Sequence, residues 1–537
     1  MAYVARKPVK KRVARTTTMP APVDGWNARD ALAAMGPLDA VTMTNWIPGT
    51  TDVYLRYGRD LWSTGLSGQV DTLIDHVSAS ATEKLWGISG TTIYNCTTQG
   101  AAVAYATAPV PTLTNARWQY VNMASSGGVY CVMAVNGADK LIGCIGSTWN
   151  QDGDASTLFD ITGVNTNTCI HINVHKFRVW MVQKDTLDAW YLATGAIKGA
   201  ATKFTLNGVA RNGGYLMAMA TWTIDAGYGV DDHAVFITSK GEVIVYSGTD
   251  PAAASTWQLV GVFQIGSPVA RRCYTKFAGD LLIICHDGVV PLSGALQSSR
   301  TNPKVSLSDK IQFALSSAIG SYENNFGWEV QSYPRDNLIL VNIPIQAGAY
   351  QQQYVMSTLA NKPWCRFTGW DFNCLELYDD FLYGGGNTAV YRCWKDTFGN
   401  PILADDNATG IPQDISGDLQ QAFSYLSGPT QLKRLTMMRP TLSTTSSQPP
   451  LLGGVNMDFD LTSPVATLTG PAASGGSAWD TSDWDTTSWA GGFQIVRLWQ
   501  GVSGLGYACA PHYVIQSQQL ELKLMATDIV YEVGGIL

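Results

Sequence analysis

The chain has 537 residues, only 14% of them charged, with 53 Gly and 18 Trp. Low charge, frequent turn formers and many aromatics fit an all-β protein with large contact surfaces, while no apolar run approaches the roughly 18 residues of a membrane-spanning helix. The net charge of −7 is uneven: six of the 35 basic residues fall in residues 1–15, which hold no acid, so 29 bases face 42 acids over the remainder, a balance of −13.

Residues 1–22 have no apolar periodicity and end in TTTMPAP, which predicts a flexible basic arm bearing Arg6, Lys7, Lys10, Lys11, Arg12 and Arg15. The arm lacks the apolar stretch of a secretory signal. Next, 23–70 reads as a helix-strand segment: a short helix at 28–35 with Asn27 as its N-cap and Gly36 after its end, a Trp-Ile-Pro turn, then a strand at 52–57.

From about residue 71 to 400 the chain is a succession of hairpins. KLWGIS-GTTIYNC (84–96), GVYCVMAV-NGADKLIGCIG (128–146) and CIHINVHKFRVWMVQ-KDTLDAWYLA (169–193) each pair two short apolar runs across a polar turn, the second through Asn136-Gly137. The segment GYLMAMATWT (214–223) fits helix or strand equally. Residues 233–294 hold six runs of four to eight residues, with turns at Ser239-Lys240-Gly241 and His286-Asp287-Gly288. SLSDKIQFALSSAI (306–319) has apolar positions at helical spacing and predicts a surface helix. Strands resume over 327–345, 353–357, 364–370, 374–386 and 388–394. Repeated meanders joined by short turns predict a β-propeller of about six or seven blades. Residues 401–420 read as a linker, and 421–537 as a separate, sandwich-like all-β domain. Eighteen Trp at this low charge exceed what a propeller core readily holds, which predicts exposed aromatic surface and a ring-forming oligomer.

Local chemistry is sparse. His171 and His175 have the H-x-x-x-H spacing of zinc enzymes, but on a strand they stand about 13 Å apart, whereas a helix brings such a pair to within about 6 Å. Gly384-Gly385-Gly386 lacks the following Lys-Ser/Thr of a phosphate loop and reads as a turn. Asp231-Asp232 and Asp379-Asp380 are adjacent pairs that point to opposite strand faces, not carboxylates facing each other across a sugar. The ten cysteines are scattered, mostly inside strand-like runs, and read as small buried hydrophobes. No catalytic constellation, cofactor site or metal site emerges, so the chain is expected not to be an enzyme. Trp479, Trp484 and Trp489, five residues apart in a loop, fit a sugar-stacking strip or packing, and packing as subunit anchors is the preferred reading.

Several stretches resemble one family. FITSKGEVIVYSGTDP (236–251), WQLVGVFQIG from Trp257 and DLLIICHDGVVPLS (280–293) are similar to the tail nozzle (tail tube) proteins of short-tailed bacteriophages. So is the N-terminal pattern Gly25, Trp26, Asn27, Arg29, Asp30, followed by Asn45, Trp46 and Pro48, and so are the tryptophan-repeat loop and the closing Tyr-Glu-x-Gly-Gly from Tyr531. The resemblance implies a structural virion protein, a homo-hexamer built on a β-propeller. It would sit below the portal and its head-to-tail adaptor ring, contact tail fibres or spikes, and retain packaged double-stranded DNA before conducting it without sequence specificity. It implies assembly in the bacterial host cytoplasm and residence in the short tail.

Within that expectation the six basic arm residues dock on the adaptor, because a conduit gains nothing from gripping phosphates through salt-dependent contacts. Acidic stretches with Asp225, Asp231, Asp232, Asp379, Asp380, Asp405 and Asp406 are candidates for the channel lining, where weak repulsion keeps DNA sliding. The competing expectation is a carbohydrate-binding or carbohydrate-cleaving propeller, receptor-binding or sialidase-like. The two separate on whether the propeller's central pocket gathers arginines and carboxylates.

Overall fold

The computed structural model describes residues 14–78, 83–225, 230–297, 305–359, 361–445, 449–468, 493–497 and 499–534; at 224, 225, 230 and 231 only the backbone is described. The chain forms two compact units, one of residues 57–358 with 367–412, the other of 1–56, 359–366 and 413–537.

The first unit is a β-propeller. Seven antiparallel meander sheets follow in chain order, and are called blades 1 to 7. Four strands make blade 1 (Val70–His76, Lys84–Ser89, Thr92–Asn95, Val103–Ala104), blade 2 (Gln119–Ala124, Tyr130–Val135, Ile142–Ile145, Thr148–Gln151), blade 3 (Cys169–His175, Arg178–Gln183, Asp188–Tyr191, Thr202–Thr205) and blade 4 (Leu216–Asp225, Val230–Thr238, Glu242–Gly248, Trp257–Gln264). Within this unit blade 5 (Tyr274–Phe277, Asp280–Cys285, Gly288–Pro291) and blade 6 (Glu329–Tyr333, Leu338–Gln346, Tyr350–Ser357) have three strands. Blade 7 (Cys374–Tyr378, Phe381–Gly385, Val390–Cys393) takes its fourth strand from the unit's start, Arg59–Thr64, in the register Val390↔Ser63 to Cys393↔Arg59.

That last pairing closes the ring. The first strand of each blade packs against the first strand of the next, from blade 1 round through blade 7 and back to blade 1, with blades 4 and 5 joined by Tyr274, whose hydroxyl donates to the Met219 carbonyl at 3.0 Å. Apolar clusters fill the wedges between blades. Trp86, Trp118 and Trp149 lie between blades 1 and 2, and Trp180 stacks on Trp257 between blades 3 and 4, ring centres 5.7 Å apart. Each buried side chain of this size contributes about 1.5–3 kcal/mol of transfer free energy. The wedges thus absorb tryptophans that composition alone assigns to the exterior.

The turn residues obey their backbone demands. Gly137 and Gly241 have φ of +77° and +76°, and a Cβ on Gly241 would meet the Ile265 carbonyl at 2.3 Å. Gly384 and Gly385 are not a turn: both lie within the strand Phe381–Gly385, where a Cβ on Gly384 would strike the Phe372 ring at 2.5 Å. The undecided segment at 214–223 is strand. The surface helix forms at Gln312–Tyr322, several residues later than its spacing predicts.

The second unit is a β-sandwich built from both ends of the sequence. One sheet has Leu522–Val533 beside Lys433–Thr444, with Val53–Leu55 and Ala14–Pro20 also on Leu522–Val533 and with Gln494–Arg497 and Gln500–Gly506 on Lys433–Thr444. The other runs from Asp39–Thr44 through Ile415–Gln421 and Cys509–Ser517 to Leu451–Met457. Met19, Leu435 and Ile529 of the first sheet pack on Cys509 of the second, and the Tyr513 and Thr527 hydroxyls meet at 2.7 Å.

Three expectations change here. The arm is not flexible to residue 22, since Ala14–Pro20 pairs residue by residue with 526–532. No helix forms at 28–35: Asn27 is buried, its Nδ2 donates to Asp30 and Asp39, and its Oδ1 accepts from the Arg29 and Asp30 amides. Finally, 401–420 is not a linker, because Asp405–Asp406 and Ile415–Gln421 are strands.

Candidate functional site

In each blade the first strand begins at one end of the propeller, and the turns between second and third strands return to that same end. These loops surround a cavity of about 760 Å³ lined by Asp71, Arg117, Lys184, Arg271 and Arg272 among polar and aromatic neighbours that include Asn115, Asn136 and Phe326. Among the described residues, four cations and one carboxylate give the lining a net charge of +3. Phe326 holds two of the cations, with the Arg117 guanidinium 4.5 Å and the Arg272 guanidinium 5.6 Å from its ring centre. Arg117 Nε also lies 3.4 Å from Asp71 Oδ2, and Arg271 Nη1 donates to the Asn136 carbonyl at 3.2 Å. Burial raises the Asp71 carboxyl above its usual range, while Arg117 pulls the other way.

Arg272 forms the floor. Its Nη2 donates to the Asp71 carbonyl (3.0 Å), Thr72 Oγ1 (2.9 Å) and the Trp118 carbonyl (3.0 Å), and its Nη1 lies 3.6 Å from Glu329 Oε2. Asp71 and Thr72 begin blade 1, whereas Arg272 and Glu329 begin blades 5 and 6. Blades 1 and 5 are not neighbours, so this one side chain spans the axis. Glu329 is fixed from a third side by the Leu375 amide, which donates to Oε2 at 2.9 Å.

Beyond this floor is a smaller space of about 190 Å³ lined by Tyr120, His171, Tyr274, Glu329 and Glu376 among others. Tyr120 donates to Glu376 Oε2 at 2.6 Å, and burial pushes the Glu376 carboxyl up to about 8. His171 accepts from the Met219 amide at Nδ1, and its Nε2 lies 3.4 Å from the Tyr274 hydroxyl; burial lowers it to about 3. His175 stands on the same strand beside Thr221, so each ring has its own neighbour. All ten cysteines are buried.

The residues singled out from sequence scatter. Of the five aspartates whose side chains are described, Asp232, Asp379, Asp380, Asp405 and Asp406, none lines the axial cavity. Asp379 and Asp380 form the tight first hairpin of blade 7, and Asp232 lies near the corresponding hairpin of blade 4, held by Thr223 at 2.7 Å and Lys176 at 3.4 Å. The backbones of Asp225 and Asp231 flank that blade 4 hairpin. First hairpins share the propeller end opposite the cationic cavity, so five of the seven gather at one end.

Asp405 corrects the expectation of a lining role: it is buried and accepts from Trp370 Nε1 at 3.1 Å. Asp406 accepts from the Leu61 amide. Arg15 is exposed on the strand Ala14–Pro20; Arg6, Lys7, Lys10, Lys11 and Arg12 lie outside the described residues, as do Trp479, Trp484 and Trp489. Sequence reading missed the Arg271-Arg272 pair. Its signal was two adjacent cations just before a strand, in a chain poor in charge.

No family model and no curated protein matches the chain. Among solved structures it is similar to the Myceliophteria thermophila Cps50 (Swd1) β-propeller domain, at 11% identity and TM-score 0.37, over 62% of this chain and 99% of that one. It is also similar to Chaetomium thermophilum Raptor (11%, TM-score 0.36, 64% of this chain and 29% of that one). A third similar structure is the exo-β-1,3-galactanase of Phanerochaete chrysosporium (8%, TM-score 0.24, 77% and 95%). At these values none of the three bears on function.

Proposed function

We propose that the chain is a structural virion protein, the nozzle subunit of a short phage tail, which assembles as a hexameric ring and conducts DNA through the lumen between protomers. The observation that carries this reading is the resemblance of its sequence motifs, whose residues have specific structural work. Gly25, at φ +79°, lies so close to the Trp364 carbonyl that a Cβ would stand 2.6 Å from it. Asn45, at φ +58°, accepts from Arg56 Nε at 2.8 Å and donates to the Ser416 carbonyl, and Trp46 is fully buried.

Two further features support a ring. Arg272 stands across the propeller's own axis, so a passage for a duplex has to form between subunits. The sandwich unit also exposes Met437, Phe493, Ile495, Trp499, Leu505 and Met525 on or next to strands of one sheet, apolar surface that a second copy would cover. In the ring, Asp232, Asp379 and Asp380 remain the candidates to face DNA, and docking on an adaptor falls to the basic N-terminus.

The test is location. Antibodies raised against the propeller should label the tail, and not the head, of short-tailed phage particles that carry this chain. Labelling of the head alone, or particles without the chain, would overturn the reading.

A further inference from the structure

We propose that the 760 Å³ cavity at the propeller's axis is a binding site for an acidic sugar, a hydroxylated ring carrying one carboxylate or phosphate group. This goes beyond the nozzle reading and holds whether or not the chain forms a tube.

Charge decides the first half. Arg117, Lys184, Arg271 and Arg272 outnumber Asp71, the one acid in the lining among the described residues, and Lys184 and Arg117 keep much of their surface free to meet an anion. A charge-assisted bond to such a group is about twice as strong as a neutral one. Volume excludes a bare ion as the natural occupant, since a space of this size falls in the range of small-molecule sites, roughly 300–1,000 Å³.

The hydroxyls follow from the uncharged part of the lining. The rest of the wall offers Asn115, Asn136, Asn324 and Asn325, amides that donate and accept as a hydroxyl does. Phe326 is already covered by two guanidinium groups, so they, and not the ring face, meet the ligand.

The experiment titrates the full chain by calorimetry with galacturonate, galactose 6-phosphate, galactose and inorganic phosphate. Either acidic sugar, or both, should bind, with galactose and inorganic phosphate each at least about tenfold weaker; the stronger of the first two tells a carboxylated from a phosphorylated ligand. Arg117→Gln, at a half-exposed side chain, should weaken the acidic sugar about tenfold with the fold intact by circular dichroism. Failure of both acidic sugars to bind would overturn the proposal. So would galactose binding equally well, inorganic phosphate matching the sugars, or affinity surviving in Arg117→Gln.

Discussion

Arg272 bridges the propeller's interior. It meets four groups from blades on opposite sides of the ring, and its side chain and that of Glu329 beside it are 13% and 11% exposed. Arg272→Met keeps the length but leaves Glu329 as a buried carboxylate without its cation, a loss of about 3–5 kcal/mol. Urea unfolding followed by tryptophan fluorescence should show the propeller transition moving down accordingly; a midpoint equal to that of the native chain would refute the bridge. Glu376 sets a pH dependence. Folding raises its carboxyl from 4.5 to about 8, so the folded state holds the proton more tightly, with Tyr120, Asp75 and Glu329 nearby. The stability this contributes is complete below 4.5 and is lost as pH rises through about 8. Glu376→Gln should flatten the fall in melting temperature between those limits, and an unchanged profile would count against it.

At the scale of elements, the strand Ala14–Pro20 ties the N-terminal segment to the C-terminal strand, with Met19 buried and Thr18 Oγ1 donating to Asp528. Deleting residues 2–13 should leave the sandwich's melting temperature unchanged. Met19→Ala should lower its stability by about 2–4 kcal/mol, because a buried thioether leaves a cavity. Equal melting of Met19→Ala and the native chain would show that the strand is ornamental to that unit. The propeller's strands were legible because short apolar runs between turn residues have few other readings, and the six runs over 233–294 are six strands. Ala14–Pro20 was not, since six of its seven side chains face water or sit at the margin and its partner lies some 500 residues away. The helix expected at 28–35 failed because Asn27 turns its side chain onto Asp30 and Asp39, a local competition that a capping pattern does not reveal. Nor could spacing find the axial site, whose residues come together only when the ring closes.

The whole molecule is a closed propeller and a discontinuous sandwich whose exposed apolar side chains are the proposed surface for self-association. Ile495 and Leu505 are 62% and 65% exposed, so changing both to lysine should cost little in folding while placing charges in the proposed subunit contact. Ile495→Lys with Leu505→Lys should therefore give a folded chain that no longer assembles; a double variant that assembles as the native chain does would remove that surface from the interface. The most direct measurement is the mass of the full chain by sedimentation at micromolar concentration, with the adaptor ring present. A species of six copies is expected, and a chain that sediments only as a monomer of 57.9 kDa would rule out the ring.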